Sequence, residues 1–99
     1  MTKTYYHATP FENFEPIMRA QEVRTGCDGV VYLTEKPDEA ARFLAIRGCK
    51  KILVLGFELE DNMVTESFDH SEKFFRCKAY AYPESISMDF LVAAQTFQF

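Results

Sequence analysis

Three short segments of the chain carry side chains that could bind a small ligand. The first is Tyr5-Tyr6-His7-Ala8-Thr9, where a neutral His7 would offer one hydrogen-bond donor and one acceptor to a pair of vicinal hydroxyls. The second runs from Gly29 to Thr34, and its Tyr32 offers a flat face to a planar ring. The third runs from Asp38 to Phe43, and Phe43 could close the other side of that slot.

Each of these residues also has an ordinary structural explanation. A tyrosine in a Val-Val-Tyr-Leu strand usually belongs to the core, and a single histidine near a chain start usually caps an element or faces water. The spacing of the set within a strand–helix–strand–helix order favours a site. We therefore interpret the three segments together rather than residue by residue.

The elements that must position these side chains can be predicted from local patterns. Thr4 to Ala8 is short and rich in aromatics, which is typical of a strand. Thr9-Pro10-Phe11-Glu12 has the form of a helix-capping box, and a short helix is expected over about 15–21. Val30 to Leu33 is typical of a buried strand, and the following helix is expected over about Pro37 to Arg47, with Gly48 at its end.

The second half of the chain is mostly extended. From Lys51 to Leu59 the pattern predicts a strand with Leu55, Phe57 and Leu59 pointing inward. Phe74 to Tyr82 alternates small and large residues and is predicted to be a late strand. Ile86 to Phe99 indicates one or two final strands. The expected fold class is therefore α+β, with two small, mostly antiparallel sheets and two early helices in one domain spanning residues 1–99.

The set His7-Ala8-Thr9, Gly29-Val30-Val31-Tyr32-Leu33-Thr34 and Asp38 to Phe43 resembles the ADP-ribosyltransferase-like superfamily. That group includes small DNA-modifying toxins and the RNA 2′-phosphotransferases. The resemblance covers about residues 5–45 in motif detail and implies a compact fold of two sheets around a cleft. It further implies NAD⁺ as the substrate, with His7 and Thr9 on the ribose side and Tyr32 under the nicotinamide.

The chain departs from this superfamily at the acid that usually begins a late strand. A carboxylate there holds a ribose hydroxyl and stabilises the positive charge that develops as nicotinamide leaves. The corresponding region, Cys77 to Tyr80, holds no acid. Glu84 is the candidate catalytic residue, and Glu66 and Glu72 are the other acids within a few residues.

Two alternatives to transfer of ADP-ribose follow from that departure. The site could bind its ligand without reaction, or it could hold a phosphate through basic residues, as the RNA 2′-phosphotransferases do. The basic candidates are Arg24, Arg42, Arg76 and Lys78. A catalytically inactive domain of the same fold could instead act as a protein-binding inhibitor of the kind that phages and mobile elements carry.

Composition limits the remaining classes of function. The chain has 99 residues, 47% of them hydrophobic, and a net charge of −4, which argues against gripping a phosphate backbone by charge. Nucleic acid is therefore expected only as a target of modification. Three cysteines form neither a disulfide framework nor a zinc pattern, so no metal site is predicted and a reducing cytoplasm is expected. No apolar stretch approaches the roughly 20 residues of a membrane helix.

The acidic segment from Phe57 to Asp61 has two interpretations. Most simply it is a solvated face. It could also form part of an acidic patch that meets a basic protein partner.

Overall fold

A six-stranded antiparallel sheet forms the frame of the protein. The computed structural model describes residues 1–26, 29–67 and 79–99. The strands are β1 (Thr2–Pro10), β2 (Glu22–Val23), β3 (Val31–Thr34), β4 (Lys51–Glu60), β5 (Thr65–Ser67), β6 (Ala79–Tyr82), β7 (Ile86–Ser87) and β8 (Leu91–Gln98). The large sheet has the order β5-β6-β3-β1-β4-β8, and β2 pairs with β7 in a second, two-stranded sheet. The predicted α+β class with two antiparallel sheets is confirmed.

Two helices complete the fold, α1 (Phe14–Ala20) and α2 (Pro37–Ile46). Both lie close to their predicted positions. Pro37 begins α2, where its fixed backbone angle and missing amide hydrogen do no harm. Gly48 follows the helix with a φ of 92°, a left-handed conformation that glycine adopts without steric cost. Neither helix is long and apolar enough to cross a membrane.

The core lies on both faces of the large sheet because β4 is buried along most of its length. Leu55, Phe57 and Leu59 belong to the larger apolar cluster, as their alternation predicts. Ile52 and Val54 point the other way and pack with Ala40 and Ala41 of α2. We call these two sides of the sheet the main-core face and the α2 face.

The predicted capping box at Thr9 is wrong. Thr9 and Pro10 continue β1, where they pair with Leu53 and Ile52, and a 3-10 turn over Phe11–Asn13 precedes α1. The long partner strand β4 keeps β1 extended beyond the point at which local signals would start a helix. Thr9 is consequently a buried strand residue, 6% exposed, rather than a helix cap.

Candidate functional site

His7 lies on β1, next to the residue at which β1 pairs with β3. The two strands pair at Tyr6 opposite Thr34, and the imidazole Nδ1 lies 2.9 Å from the main-chain oxygen of Tyr32. A carbonyl oxygen accepts only, so Nδ1 carries a proton and donates. The His7 side chain thus ties the first strand to the strand that carries Tyr32.

Burial lowers the pKa of His7 below its ordinary value of 6.5, and the hydrogen bond to the Tyr32 carbonyl opposes this only in part. The imidazole is therefore neutral at physiological pH. With Nδ1 protonated, Nε2 carries a lone pair and accepts hydrogen bonds. No residue in the described part of the chain occupies Nε2, so the ring offers an acceptor to a ligand hydroxyl.

A cavity of about 620 Å³ opens beside His7 on the main-core face. Its walls come from the end of β1, the 3-10 turn, α1 and β2, and we call it the polar cavity. Its polar lining consists of His7, Thr9, Asn13, Arg19, Glu22 and Arg24. A cavity of this volume falls within the size range of sites for small molecules.

Thr9 and Asn13 form a hydrogen-bonded pair in the wall of this cavity. The Asn13 side-chain amide donates to the Thr9 hydroxyl oxygen over 2.8 Å. The Thr9 hydroxyl retains its own hydrogen, and the Asn13 amide oxygen is an acceptor. Together with Nε2 of His7 they supply donors and acceptors for a polyhydroxylated ligand.

Arg19 and Arg24 bring positive charge to the mouth of the polar cavity. Each forms a surface ion pair, Arg19 with Glu15 and Arg24 with Glu22 over 3.8 Å. Exposed pairs of this kind contribute little to stability, about 0–1 kcal/mol. A phosphate group could therefore compete for both guanidinium groups, which suit phosphate geometry.

A second, smaller hollow of about 120 Å³ lies on the α2 face. Tyr32 and Phe43 line it together with His7, and both rings are half-buried. The Arg47 guanidinium lies 4.3 Å from the centre of the Phe43 ring and covers one side of it. We call this space the aromatic hollow, and its apolar lining suits a planar ring.

The four predicted binding residues divide between the two spaces. Thr9 lines the polar cavity, Tyr32 and Phe43 line the aromatic hollow, and His7 lines both. Tyr32 lies on the α2 face because it alternates with Val31 and Leu33, which belong to the main core. His7 is consequently the predicted binding residue that the two spaces share.

The predicted catalytic residue, Glu84, lies elsewhere. It is exposed in the turn between β6 and β7 and lines neither space. Burial, and secondarily the Glu84 carboxylate, raise the pKa of Tyr82. Glu66 lies on β5 opposite Tyr80 and also lines neither space, while Glu72 falls outside the described residues.

The basic candidates separate in the same way. Arg24 lies at the polar cavity, whereas Arg42 lies on α2, paired with Glu39 over 3.5 Å. Arg76 and Lys78 fall outside the described residues. Of the predicted phosphate contacts, the structure therefore brings Arg24 to the candidate site and leaves Arg42 away from it.

Sequence reasoning missed Asn13, Arg19 and Glu22 as lining residues. Glu22 is the one carboxylate among the described residues that line the polar cavity. Its position depends on β2, a two-residue strand held by its pairing with Ser87 and Ile86. Sequence carries little signal for so short a strand, since its partner is more than sixty residues away in the chain.

Among the described residues, no group of three or more histidine, cysteine and acidic side chains could hold a metal ion. Cys49 is not part of a disulfide, and Cys27 and Cys77 lie outside the described residues.

Comparison with solved structures identifies proteins of similar fold. The crystal structure of protein CC0527 from Caulobacter crescentus superposes with a TM-score of 0.68 at 10% sequence identity, covering 95% of this chain and 85% of that one. A double mutant of the same Caulobacter protein superposes with a TM-score of 0.65 at 11% identity over the same shares. At such identities the likeness shows the fold alone. No protein-family model matches the chain, and no curated protein matches it.

Proposed function

We propose that this protein binds NAD⁺ or a related nucleotide across His7, as an ADP-ribosyltransferase-like domain of the cytoplasm. The observation that carries the proposal is that His7 lines a polar cavity on one side and an aromatic hollow on the other. A nucleotide consists of a planar base joined to a ribose, and of a ribose joined to phosphate. The base suits the aromatic hollow, and the ribose and phosphate suit the polar cavity.

Each part of the nucleotide has a counterpart at the site. Nε2 of His7 accepts a hydrogen bond from a ribose hydroxyl, and Thr9 with Asn13 binds a second hydroxyl. The guanidinium groups of Arg19 and Arg24 hold the phosphates. Tyr32 and Phe43 receive the nicotinamide ring in the aromatic hollow. The ring reaches the hollow between β1 and β3, whose only pairing among the described residues is Tyr6 with Thr34.

Transfer of ADP-ribose would break the bond between the ribose C1′ and the nicotinamide nitrogen. Nicotinamide leaves with the bonding electron pair, and a nucleophile of a macromolecular target then attacks C1′. A carboxylate near C1′ stabilises the positive charge that develops on the ribose. We assign this role to Glu22, because it lines the polar cavity and Glu84 does not.

Ligand binding tests the proposal directly. NAD⁺ or ADP-ribose at about 100 times its dissociation constant should stabilise the protein by about 2.7 kcal/mol, a rise in melting temperature on the order of 10 °C. Arg24→Ala should reduce this rise. Arg42→Ala is the matched control, since it removes an arginine away from the polar cavity, and should leave the rise unchanged.

Two results would contradict nucleotide binding at this site. One is the absence of any melting shift with millimolar NAD⁺ or ADP-ribose. The other is a shift that Arg24→Ala and His7→Ala both leave intact.

A second candidate function is protein binding without catalysis, as an inhibitor of the kind that phages and mobile elements carry. A groove of about 340 Å³ is lined by three carboxylates, Glu58, Glu60 and Asp89, and by the exposed side chains of Met63 and Phe90. Apolar groups surrounded by acidic ones suit a basic protein surface. This candidate predicts partner capture that survives His7→Ala and is lost in Glu58→Lys.

A further inference from the structure

The outer edge of the large sheet is a long, uncharged strand. Strand β8 (Leu91–Gln98) pairs with β4 on one side, and no described strand pairs with its other side. An edge strand presents a row of backbone N–H and C=O groups that can bind another strand. The opposite edge strand, β5, has only three residues.

Apart from a bulge at Val92, the features that normally protect such an edge are missing from β8. Proteins block exposed edges with lysine, proline, bulges that twist the strand away or inward-pointing charges. No residue from Phe90 to Phe99 is charged and none is proline, although 26% of the whole chain is charged. The register shift at Gly56/Phe57 leaves residues 93–98 in continuous pairing with β4.

Apolar side chains are exposed on and beside this strand. Val92 of β8 is 54% exposed, and Phe99, the residue after β8, is 63% exposed. They add apolar surface next to the open backbone hydrogen-bonding groups.

We propose that β8 pairs antiparallel with β8 of a second copy of this chain, joining two sheets into one of twelve strands. A second copy is the occupant that the chemistry favours, because antiparallel pairing of identical strands has two-fold symmetry and closes after one contact. An uncharged strand also meets its own copy without repulsion, whereas it offers a charged foreign strand no complementary partner.

Symmetry limits the register of this pairing. A two-fold axis perpendicular to the sheet keeps each face aligned, so residues directly opposite must belong to the same face. A pair centred on Gln95 satisfies this condition. In this register Phe97 lies opposite Ala93 of the second copy, and Phe97 packs on the α2 face. A large side chain then meets a small one.

Charge placed at the centre of β8 tests the proposal. The wild-type protein should sediment at twice its chain mass of 11.5 kDa. Gln95→Lys would set two ammonium groups opposite each other, with Cβ atoms about 5 Å apart, and should halve the measured mass. Thr65→Lys is the matched control on the opposite edge strand and should leave the dimer intact.

A charge exchange separates loss of pairing from loss of folding. Gln95→Glu should also be monomeric, and mixing it with Gln95→Lys should restore the doubled mass, because unlike charges then lie opposite each other. A monomeric wild type would overturn the proposal. So would a dimer that Gln95→Lys leaves intact, or a mixture of the two variants that stays monomeric while both retain the wild-type circular dichroism spectrum.

Discussion

The imidazole of His7 donates a hydrogen bond from Nδ1 to the main-chain oxygen of Tyr32, with 2.9 Å between the two atoms. This bond joins two neighbouring strands through a side chain. It also sets the tautomer that leaves Nε2 as an acceptor. The structural role of His7 and its proposed role in binding therefore both depend on the proton that Nδ1 carries.

The stability of the protein should decrease as the pH falls below about 6.5, the ordinary pKa of histidine. Burial lowers the pKa of His7 in the folded state, so the unfolded chain takes up a proton at a higher pH than the folded chain. Proton binding then favours the unfolded state over the window between the two pKa values. Denaturant midpoints measured from about pH 8 to about pH 5 will follow this loss.

His7→Gln isolates the contribution of this histidine. Glutamine can still donate to the Tyr32 carbonyl, but it does not titrate. The variant should lose less stability than the wild type over the same pH range, and the other histidine, His70, is common to both proteins. Equal losses in the two proteins would contradict a lowered pKa at His7.

Glu22→Gln should reduce release of nicotinamide from NAD⁺ by about a hundred- to a thousandfold, the usual effect of removing one electrostatic contact at a reacting centre. The substitution keeps the shape of the side chain and removes its charge. Glu84→Gln is the matched control and should leave the rate unchanged, because Glu84 lies in an exposed turn. A rate lost in Glu84→Gln and kept in Glu22→Gln would reverse the assignment of the carboxylate.

Gly56→Ala should destabilise the protein by about 1–3 kcal/mol, as overpacking typically does. Gly56 lies opposite Tyr6, and an added methyl group would lie 2.9 Å from Cε1 of that ring and 3.2 Å from Cβ of Ala93. Chemical denaturation measures the loss. In a double-mutant cycle, Tyr6→Ala should relieve part of it, and strictly additive effects would mean that the ring does not cause the strain.

Tyr80→Phe should lower the free energy of unfolding by about 0.5–1 kcal/mol. The Tyr80 hydroxyl donates to the Glu35 carboxylate over 2.8 Å, and burial together with that carboxylate raises the pKa of Tyr80. Tyr82→Phe is the control, since no described residue bonds to the Tyr82 hydroxyl. Denaturation curves of the two variants should differ, and equal losses would show that the Glu35 contact contributes nothing.

Local patterns in the sequence determined those helices and strands that depend mainly on the propensities of neighbouring residues. The helix after Pro37, the inward alternation of Leu55, Phe57 and Leu59, and the final strands are all close to prediction. These elements follow from the periodicity of apolar residues, since a period of two or of nearly four residues decides which face is buried. The candidate residues His7, Tyr32 and Phe43 were predicted only as a spaced set, because each of them alone has an ordinary structural explanation.

Only the tertiary structure decided how those residues are shared between two faces of a sheet. Thr9 and Tyr32 lie on opposite faces, and His7 is the one described residue that lines both spaces. Strand register sets this arrangement, and register depends on pairings between distant segments, such as Tyr6 with Thr34. Long-range pairing also places Glu22 at the site, since its short strand exists only through its pairing with β7. Long-range pairing likewise kept Thr9 in β1, where local signals alone would have begun a helix.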